Sequence, residues 1–158
     1  MISYNIYTDG SCRKNGVGGY GYVVLDEKDN ICDMFSEQVE NTTNNQMELK
    51  AILSALKYCA ENHLAINSYN IYTDSAYSLG CVTDWFKTWR LNGWKTAKGT
   101  PVANRELIEE ILKLLETYPF CHIQKTDGHS NIYGNELADA LATGDQKKFN
   151  RIITDFNQ

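Results

Sequence analysis

The sequence predicts an α/β fold, a mixed sheet flanked by helices. Two observations predict it. Three strand-like stretches open the chain at close spacing, which favours antiparallel pairing. After them, helix-periodic segments alternate with short strand-like ones, the pattern of helical crossovers between parallel strands. The 158 residues, 42% of them hydrophobic, suit one globular domain with a real core.

Each element has its own signal. Ser3–Thr8 alternates and is β-branched or aromatic, Gly19–Leu25 is short and apolar, and Ile31–Val39 follows a Lys28-Asp29-Asn30 turn. A helix is expected from about Asn45 to Asn62, because Leu49, Ile52, Leu53, Leu56 and Cys59 recur at helical spacing. Tyr69–Thr73 reads as a fourth strand. A second helix is expected from Thr100-Pro101, where threonine caps and proline suits the first turn. It carries Leu107, Ile108, Ile111, Leu115 and Tyr118 on one face and stops at Pro119. Cys121–Lys125 reads as a fifth strand and Asn135–Ala142 as a last helix. Gly144–Gln158 reads as a solvated tail, with Lys147, Lys148 and Arg151 available to touch nucleic acid.

Composition excludes several classes. No apolar run approaches the roughly 18 residues of a membrane helix, and Met1 leads into patterned sequence without a signal peptide. The five cysteines (Cys12, Cys32, Cys59, Cys81 and Cys121) are odd in number, scattered and without a CxxC pair. That argues for reduced thiols in a cytoplasmic protein, against a disulfide framework and against structural zinc. The net charge of −5 taken alone argues against a polyanionic partner, but charge is unevenly distributed.

Tyr-Asn-Ile-Tyr-Thr-Asp occurs twice, at Tyr4–Asp9 and Tyr69–Asp74. Strand chemistry has a small vocabulary, so coincidence accounts for the match as well as design does. Position is more informative, since both copies put an aspartate where a strand is expected to meet a Gly-Ser or Ser turn. In open α/β sheets, sites form beyond the carboxyl ends of strands. If the two strands are parallel neighbours, Asp9 and Asp74 sit side by side, an arrangement readily tolerated only around a cation.

Two further carboxylates enter with plainer readings attached. Asn45 and Glu48 have capping-box spacing, as do Thr43 and Gln46, and locally the cap is the better reading of Glu48. Asp139 follows Asn135 by four residues, so both share a helix face opposite Leu137 and Leu141. Singly it reads as a solvated helix carboxylate.

Together these stretches resemble the type 1 ribonuclease H family. The motifs are Tyr7-Thr8-Asp9-Gly10-Ser11, Thr43-Asn44-Asn45-Gln46-Met47-Glu48-Leu49, Tyr72-Thr73-Asp74-Ser75, and Gly128-His129-Ser130 through Asn135-Glu136-Leu137-Ala138-Asp139. They stand in the family's order, from about residue 2 to residue 143. The resemblance implies a five-stranded mixed sheet, three antiparallel strands plus two parallel, with helices on both faces. It implies an endonuclease cutting the RNA strand of RNA–DNA hybrids and leaving 5′-phosphate and 3′-hydroxyl ends. It makes Asp9, Glu48, Asp74 and Asp139 the ligands of two Mg²⁺ ions, with Mn²⁺ a possible substitute. Two such cations suit phosphodiester hydrolysis, and hard carboxylate oxygens suit magnesium better than zinc.

The remaining roles follow from the same resemblance. His129 shuttles protons near the leaving group or helps release product, although a lone histidine after glycine reads locally as a loop residue. Cys12, Asn15, Asn44, Asn45 and Asn135 fall near the substrate, and Thr43 resembles a phosphate-pocket threonine. Asn15 also reads as a turn residue before Gly16. Where the family often has glutamine two residues after the third carboxylate, this chain has Ala76. Residues 84–98 hold all three tryptophans, with Lys87, Arg90, Lys95 and Lys98 against Asp84, a net charge of +3. That segment resembles the basic handle of cellular enzymes. Trp85, Trp89, Lys87, Arg90 and Lys95 are its expected substrate contacts, although Trp85 and Trp89 also read as core anchors. Arg90-Leu91-Asn92 stands where relatives carry more basic residues, and Asp127 is more acidic than usual, so weaker electrostatic capture is expected.

The expected organisation is a catalytic domain over 1–143 including the handle, with a tail over 144–158. The expected partner is the hybrid duplex, with no membrane and no obligate protein partner, the chain acting as a monomer. Three alternatives remain. An exonuclease of the same fold usually has Asp-x-Glu in the first strand, whereas Gly10-Ser11 follows Asp9 here. A reverse-transcriptase domain often lacks the handle. A catalytically dead hybrid-binding module should have lost one of the four carboxylates.

Overall fold

The computed structural model describes residues 2–62, 67–126 and 132–158. Three antiparallel strands come first: β1 (Ile2–Cys12), β2 (Gly18–Leu25) and β3 (Ile31–Val39). Helix α1 (Asn44–Glu61) crosses to β4 (Asn67–Thr73), which adds to β1 in parallel. Three further segments follow: α2 (Ala76–Gly80), a π-helical turn at Cys81–Trp85, and α3 (Phe86–Asn92). Then come α4 (Arg105–Thr117), β5 (Cys121–Lys125), α5 (Tyr133–Thr143) and α6 (Gln146–Phe156). The sheet order is β3-β2-β1-β4-β5, with the three antiparallel strands and two parallel additions that the family resemblance implies.

Alternation along β2 shows why helices cover both faces. Tyr22 and Val24 point to a core with Leu49, Ile52 and Leu56 of α1 and Ile108 and Ile111 of α4. Val23 and Leu25 point to a second core with Leu137 and Ala140 of α5 and Phe149 of α6. Every residue of β2 is buried. On the second face α5 lies directly on β1, since a Cβ on Gly134 would fall 2.1 Å from the Tyr7 ring. Only glycine allows that approach.

The repeated hexapeptide has a structural meaning. The two copies pair in register, Tyr4 with Tyr69, Asn5 with Asn70, Ile6 with Ile71 and Tyr7 with Tyr72. Like side chains therefore stack across the strands, with ring centroids 5.4 Å apart for Tyr4 and Tyr69 and 4.8 Å for Tyr7 and Tyr72. Asn70 donates to the Asn5 amide oxygen and accepts from Gln124 of β5, a polar ladder across three strands.

Three expectations are corrected. First, Asp9 does not end its strand: Gly10 and Ser11 continue β1, paired with Tyr20 and Gly19 of β2. Only the parallel pairing with β4 stops there, after Tyr7. Second, α4 begins at Arg105 rather than Thr100-Pro101. Pro101 forms a bridge with Lys95, Thr96 N donates to Thr100 O, and buried Val102 N donates to Trp94 O. That closed loop holds Thr100 and Pro101 outside the helix. Third, the residues read as a solvated tail fold into α6, whose Phe149 is only 4% exposed in the second core. The Asp145 side chain caps this helix by accepting from Lys148 N.

Candidate active site

The unequal lengths of β1 and β4 create a notch. β1 runs past the end of β4, so on that side the Gly10 N–H has no strand to bond. Glu48 fills the place, its Oε1 accepting from Gly10 N at 2.7 Å while Oε2 accepts from Thr73 Oγ1 at 3.4 Å. Asp9 Oδ1 shares the Gly10 donor at 2.9 Å. Thr8 Oγ1 seals the floor by donating to Tyr72 O at 2.8 Å. Gly10 is required for this approach, because a Cβ there would lie 2.3 Å from Glu48 N and Met47 C of α1. Sequence periodicity cannot reveal that constraint.

Glu48 is therefore not a helix cap. Thr43 caps α1, its hydroxyl accepting from Gln46 N at 3.2 Å, while Glu48 is 8% exposed and Asp9 7%. Asp74, just beyond β4, is more open, yet Asp9, Glu48 and Asp74 each offer an oxygen within 4.8 Å of the others. Asp139 approaches the group from α5 on the opposite sheet face, near enough for its carboxyl to help raise that of Asp9. It also contacts Lys148 Nζ of α6.

Such crowding controls protonation. Burial raises the Asp9 carboxyl well above the usual range, with the hydrogen bond to Glu48 and the charges of Glu48 and Asp74 adding to it. Burial also lifts Glu48, up to about 7, although its hydrogen bonds with Asp9, Gly10 and Thr73 oppose the rise. The pair titrates as a unit, and burial favours keeping a proton on it. A divalent cation would displace that proton. The donor set at the cluster is all carboxylate oxygen, which suits a hard cation.

Comparison with known proteins agrees with this geometry. The family model described as RNase H matches residues 2–147. The chain belongs to the ribonuclease H family. A ribonuclease H from Ruthia magnifica is 42% identical over 138 residues, covering 87% of this chain and 90% of that one. One from Clostridium botulinum is 39% identical over 152 residues, covering 92% and 96%. Among solved structures, the ribonuclease H domain of prototype foamy virus superposes with a TM-score of 0.74 at 26% identity. The match covers 90% of this chain and 93% of that domain.

The residues expected near the substrate lie at the end of β1, on the β1–β2 loop, at the start of α1 and on α5. Cys12 Sγ donates to Thr42 O at 3.3 Å and Thr42 N donates to Gly16 O at 3.0 Å, tying the β1–β2 loop to the start of α1. Asn15, Thr43, Asn44 and Asn45 are all exposed along this join. Asn15 is also the turn residue its sequence suggests, accepting from Val17 N at 3.0 Å. Asn135 stands one turn before Asp139 on α5 and is partly exposed. His129 lies outside the described residues, as does Asp127.

The handle divides its tryptophans between two jobs. Trp94 is 7% exposed and Trp89 packs on the first core, whereas Trp85 is 43% exposed. The three rings run in contact, 6.1 Å from Trp85 to Trp89 and 5.8 Å from Trp89 to Trp94. Trp85 thus presents one flank to solvent while Gly80 and Tyr77 support the other. Arg90 is turned toward α4, where it pairs with Glu116 at 2.8 Å and lies over the Phe86 ring. Lys87 and Lys95 remain exposed. Sequence reasoning had no means to pair Arg90 with a residue 26 positions away.

Proposed function

We propose that this ribonuclease H hydrolyses the RNA strand of RNA–DNA hybrids at Asp9, Glu48, Asp74 and Asp139. The cuts are internal and leave 5′-phosphate and 3′-hydroxyl ends. The observation that carries the reading is the three-carboxylate cluster of Asp9, Glu48 and Asp74 at the end of β4, with Asp139 near Asp9. Two Mg²⁺ ions, with Mn²⁺ able to replace them, would be held by these four residues. When bound they make a water nucleophilic and stabilise the leaving 3′-oxygen.

The chain's own groups prepare that chemistry. Glu48 is gripped at both oxygens by Gly10 N and Thr73 Oγ1, so its carboxylate is fixed before any ligand arrives. Asp9 and Glu48 give up a proton as cations enter, which couples metal loading to pH. His129 carries a proton at the leaving oxygen or assists product release. Its replacement by alanine lowers kcat about 10–100-fold at nearly constant KM, less than a lone general acid or base supplies. Cys12, Asn15, Asn44, Asn45 and Asn135 face the minor groove and its 2′-hydroxyls, the feature that separates RNA from DNA. Thr43 faces a phosphate. Trp85 and Trp89 with Lys87 and Lys95 grip the DNA strand, and Arg90 joins them on leaving Glu116.

No helix among the described residues is long and apolar enough to cross a membrane. The chain works as a monomer in the cytoplasm, on the domain over 1–143 with its 84–98 handle and the 144–158 extension. The test is incubation with end-labelled hybrid, with and without Mg²⁺. Internal RNA cuts that need the metal support the proposal. Terminal laddering would indicate an exonuclease, and binding without cutting a passive module.

A further inference from the structure

Asp139 is the one carboxylate of the four with a resident cation. Lys148 Nζ contacts its Oδ2, and the two side chains are only 30% and 40% exposed. Asp139 also falls outside the group of three whose oxygens lie within 4.8 Å of one another. Lys148 is not a wandering surface lysine. Its own N–H donates to the Asp145 cap at 3.0 Å, and the adjacent Phe149 is buried against β2 and α5. The far end of α6 is pinned as well, by Phe156 stacked on Tyr133 with centroids 3.8 Å apart. The lysine stem therefore leaves the first turn of a doubly anchored helix and ends at Asp139.

An alternative place for the ammonium exists. Lys148 borders a cleft of about 460 Å³ between α5 and α6, which Glu136, Arg151 and Asp155 also line. Glu136 and Asp155 offer other carboxylates to a lysine that has let go of Asp139. Lys148 thus has two destinations, one at the catalytic group and one beside it.

We propose that Lys148 is an exchangeable countercharge for Asp139, holding that carboxylate until a divalent cation displaces the ammonium into the α5–α6 cleft. The inference rests on the proposed metal role of Asp139. Its consequence is that the chain weakens its own hold on cations when no substrate is present. A substrate phosphate near the cations adds negative charge and shifts the competition in their favour. The resident charge thereby links full metal loading to the hybrid.

Two measurements test this. The first is calorimetric titration of Mg²⁺ into the substrate-free protein, for wild type, Lys148→Met, Lys148→Arg and both Lys148 forms in an Asp139→Asn background. Lys148→Met should bind Mg²⁺ about tenfold more tightly, the factor one like charge a few ångströms away exerts at high dielectric. Lys148→Arg should stay near wild type. In the Asp139→Asn background the Lys148→Met change should have no effect, because the pair acts as one unit. Equal or weaker Mg²⁺ binding by a folded Lys148→Met overturns the proposal. The second measurement uses unaltered chain: acetylation of Lys148, read by mass spectrometry against exposed Lys147, should speed up several-fold when Mg²⁺ is added. Unchanged Lys148 reactivity with Mg²⁺ bound also overturns it. If wild type binds no Mg²⁺ at all, the metal site of the proposed function falls, which separates that failure from this one.

Discussion

The acidic notch and the tryptophan handle are built by opposite means. In the notch, hydrogen bonds and strand register do the positioning: Gly10 N and Thr73 Oγ1 hold Glu48, and register sets Asp9 against the end of β4. Asp9 and Glu48 are buried there, and burial raises both carboxyls. In the handle, aromatic rings do the positioning, passing support from buried Trp94 through Trp89 to exposed Trp85. Its charges are solvated, and the one well-placed arginine is tied to Glu116. If the proposed roles hold, the difference teaches that chemistry rests on buried, hydrogen-bonded carboxylates and capture on exposed side chains. Errors in the first should abolish activity, and errors in the second should change only affinity.

The largest effect should come from crowding the notch. Gly10→Ala places a methyl against the backbone of α1, where no side-chain rotation can relieve it. We expect a loss of roughly 2–3 kcal/mol or more in stability. Cleavage should disappear with it, because Glu48 is displaced. Melting together with hybrid cleavage checks this, and an active Gly10→Ala of normal stability would show that α1 does not need that approach.

Protonation supplies the next effect. Asp9 and Glu48 have folded values raised above their ordinary values of 3.8 and 4.5. Below about pH 3 both are largely protonated in folded and unfolded chains alike, and their contribution to stability is fully present. As pH rises, the unfolded chain releases protons that the folded one keeps, so stability falls. The loss from Glu48 accrues up to about pH 7, and that from Asp9 continues above it. Metal-free protein should therefore lose a few kcal/mol from this pair between pH 4 and pH 8. Saturating Mg²⁺ should reverse the trend, since it binds the deprotonated site. Melting temperatures across that range, with chelator and with Mg²⁺, read both. A flat profile in chelator would mean the carboxylates are not crowded in solution.

Much of this contrast was legible in the sequence, for a physical reason. The strands and most helices follow from local periodicity, the two-faced mixed sheet follows from the family resemblance, and the four carboxylates stand in recognisable motifs. The repeat was legible as a repeat, but only register shows that Tyr4 meets Tyr69 and that Asp9 outlasts its partner strand. Three-dimensional contacts account for the rest. Pro101 looks like a helix start until Lys95 bridges to it, and Arg90 looks free until Glu116 is seen beside it. Lys148 reads as a tail residue because nothing local announces that α6 returns to Asp139. The sequence set Glu48 in a motif while its spacing argued for a cap, and Thr43 is the cap.

Handle variants should have the smallest effects. Lys87→Ala removes an exposed cation, so the slope of log affinity against log salt should flatten by about 0.9 if that lysine meets a phosphate. Glu116→Gln frees Arg90 and should steepen the slope by up to about the same amount. Trp85→Ala should weaken hybrid binding by about 1 kcal/mol while leaving the melting temperature nearly unchanged. In all three kcat should hold. A drop in kcat without a change in KM would place the handle in the chemistry and erase the contrast between the two regions.

The central claim is that the notch is a catalytic metal site rather than a structural cluster of acids. Asp9→Asn tests it most directly, because the amide keeps the side chain's shape and removes its charge. Hybrid cleavage in Mg²⁺ should be measured beside melting in chelator. The account predicts no detectable cleavage from a protein that melts at or above the wild-type temperature, since a crowded buried carboxylate has been neutralised. Substantial cleavage by folded Asp9→Asn would contradict it.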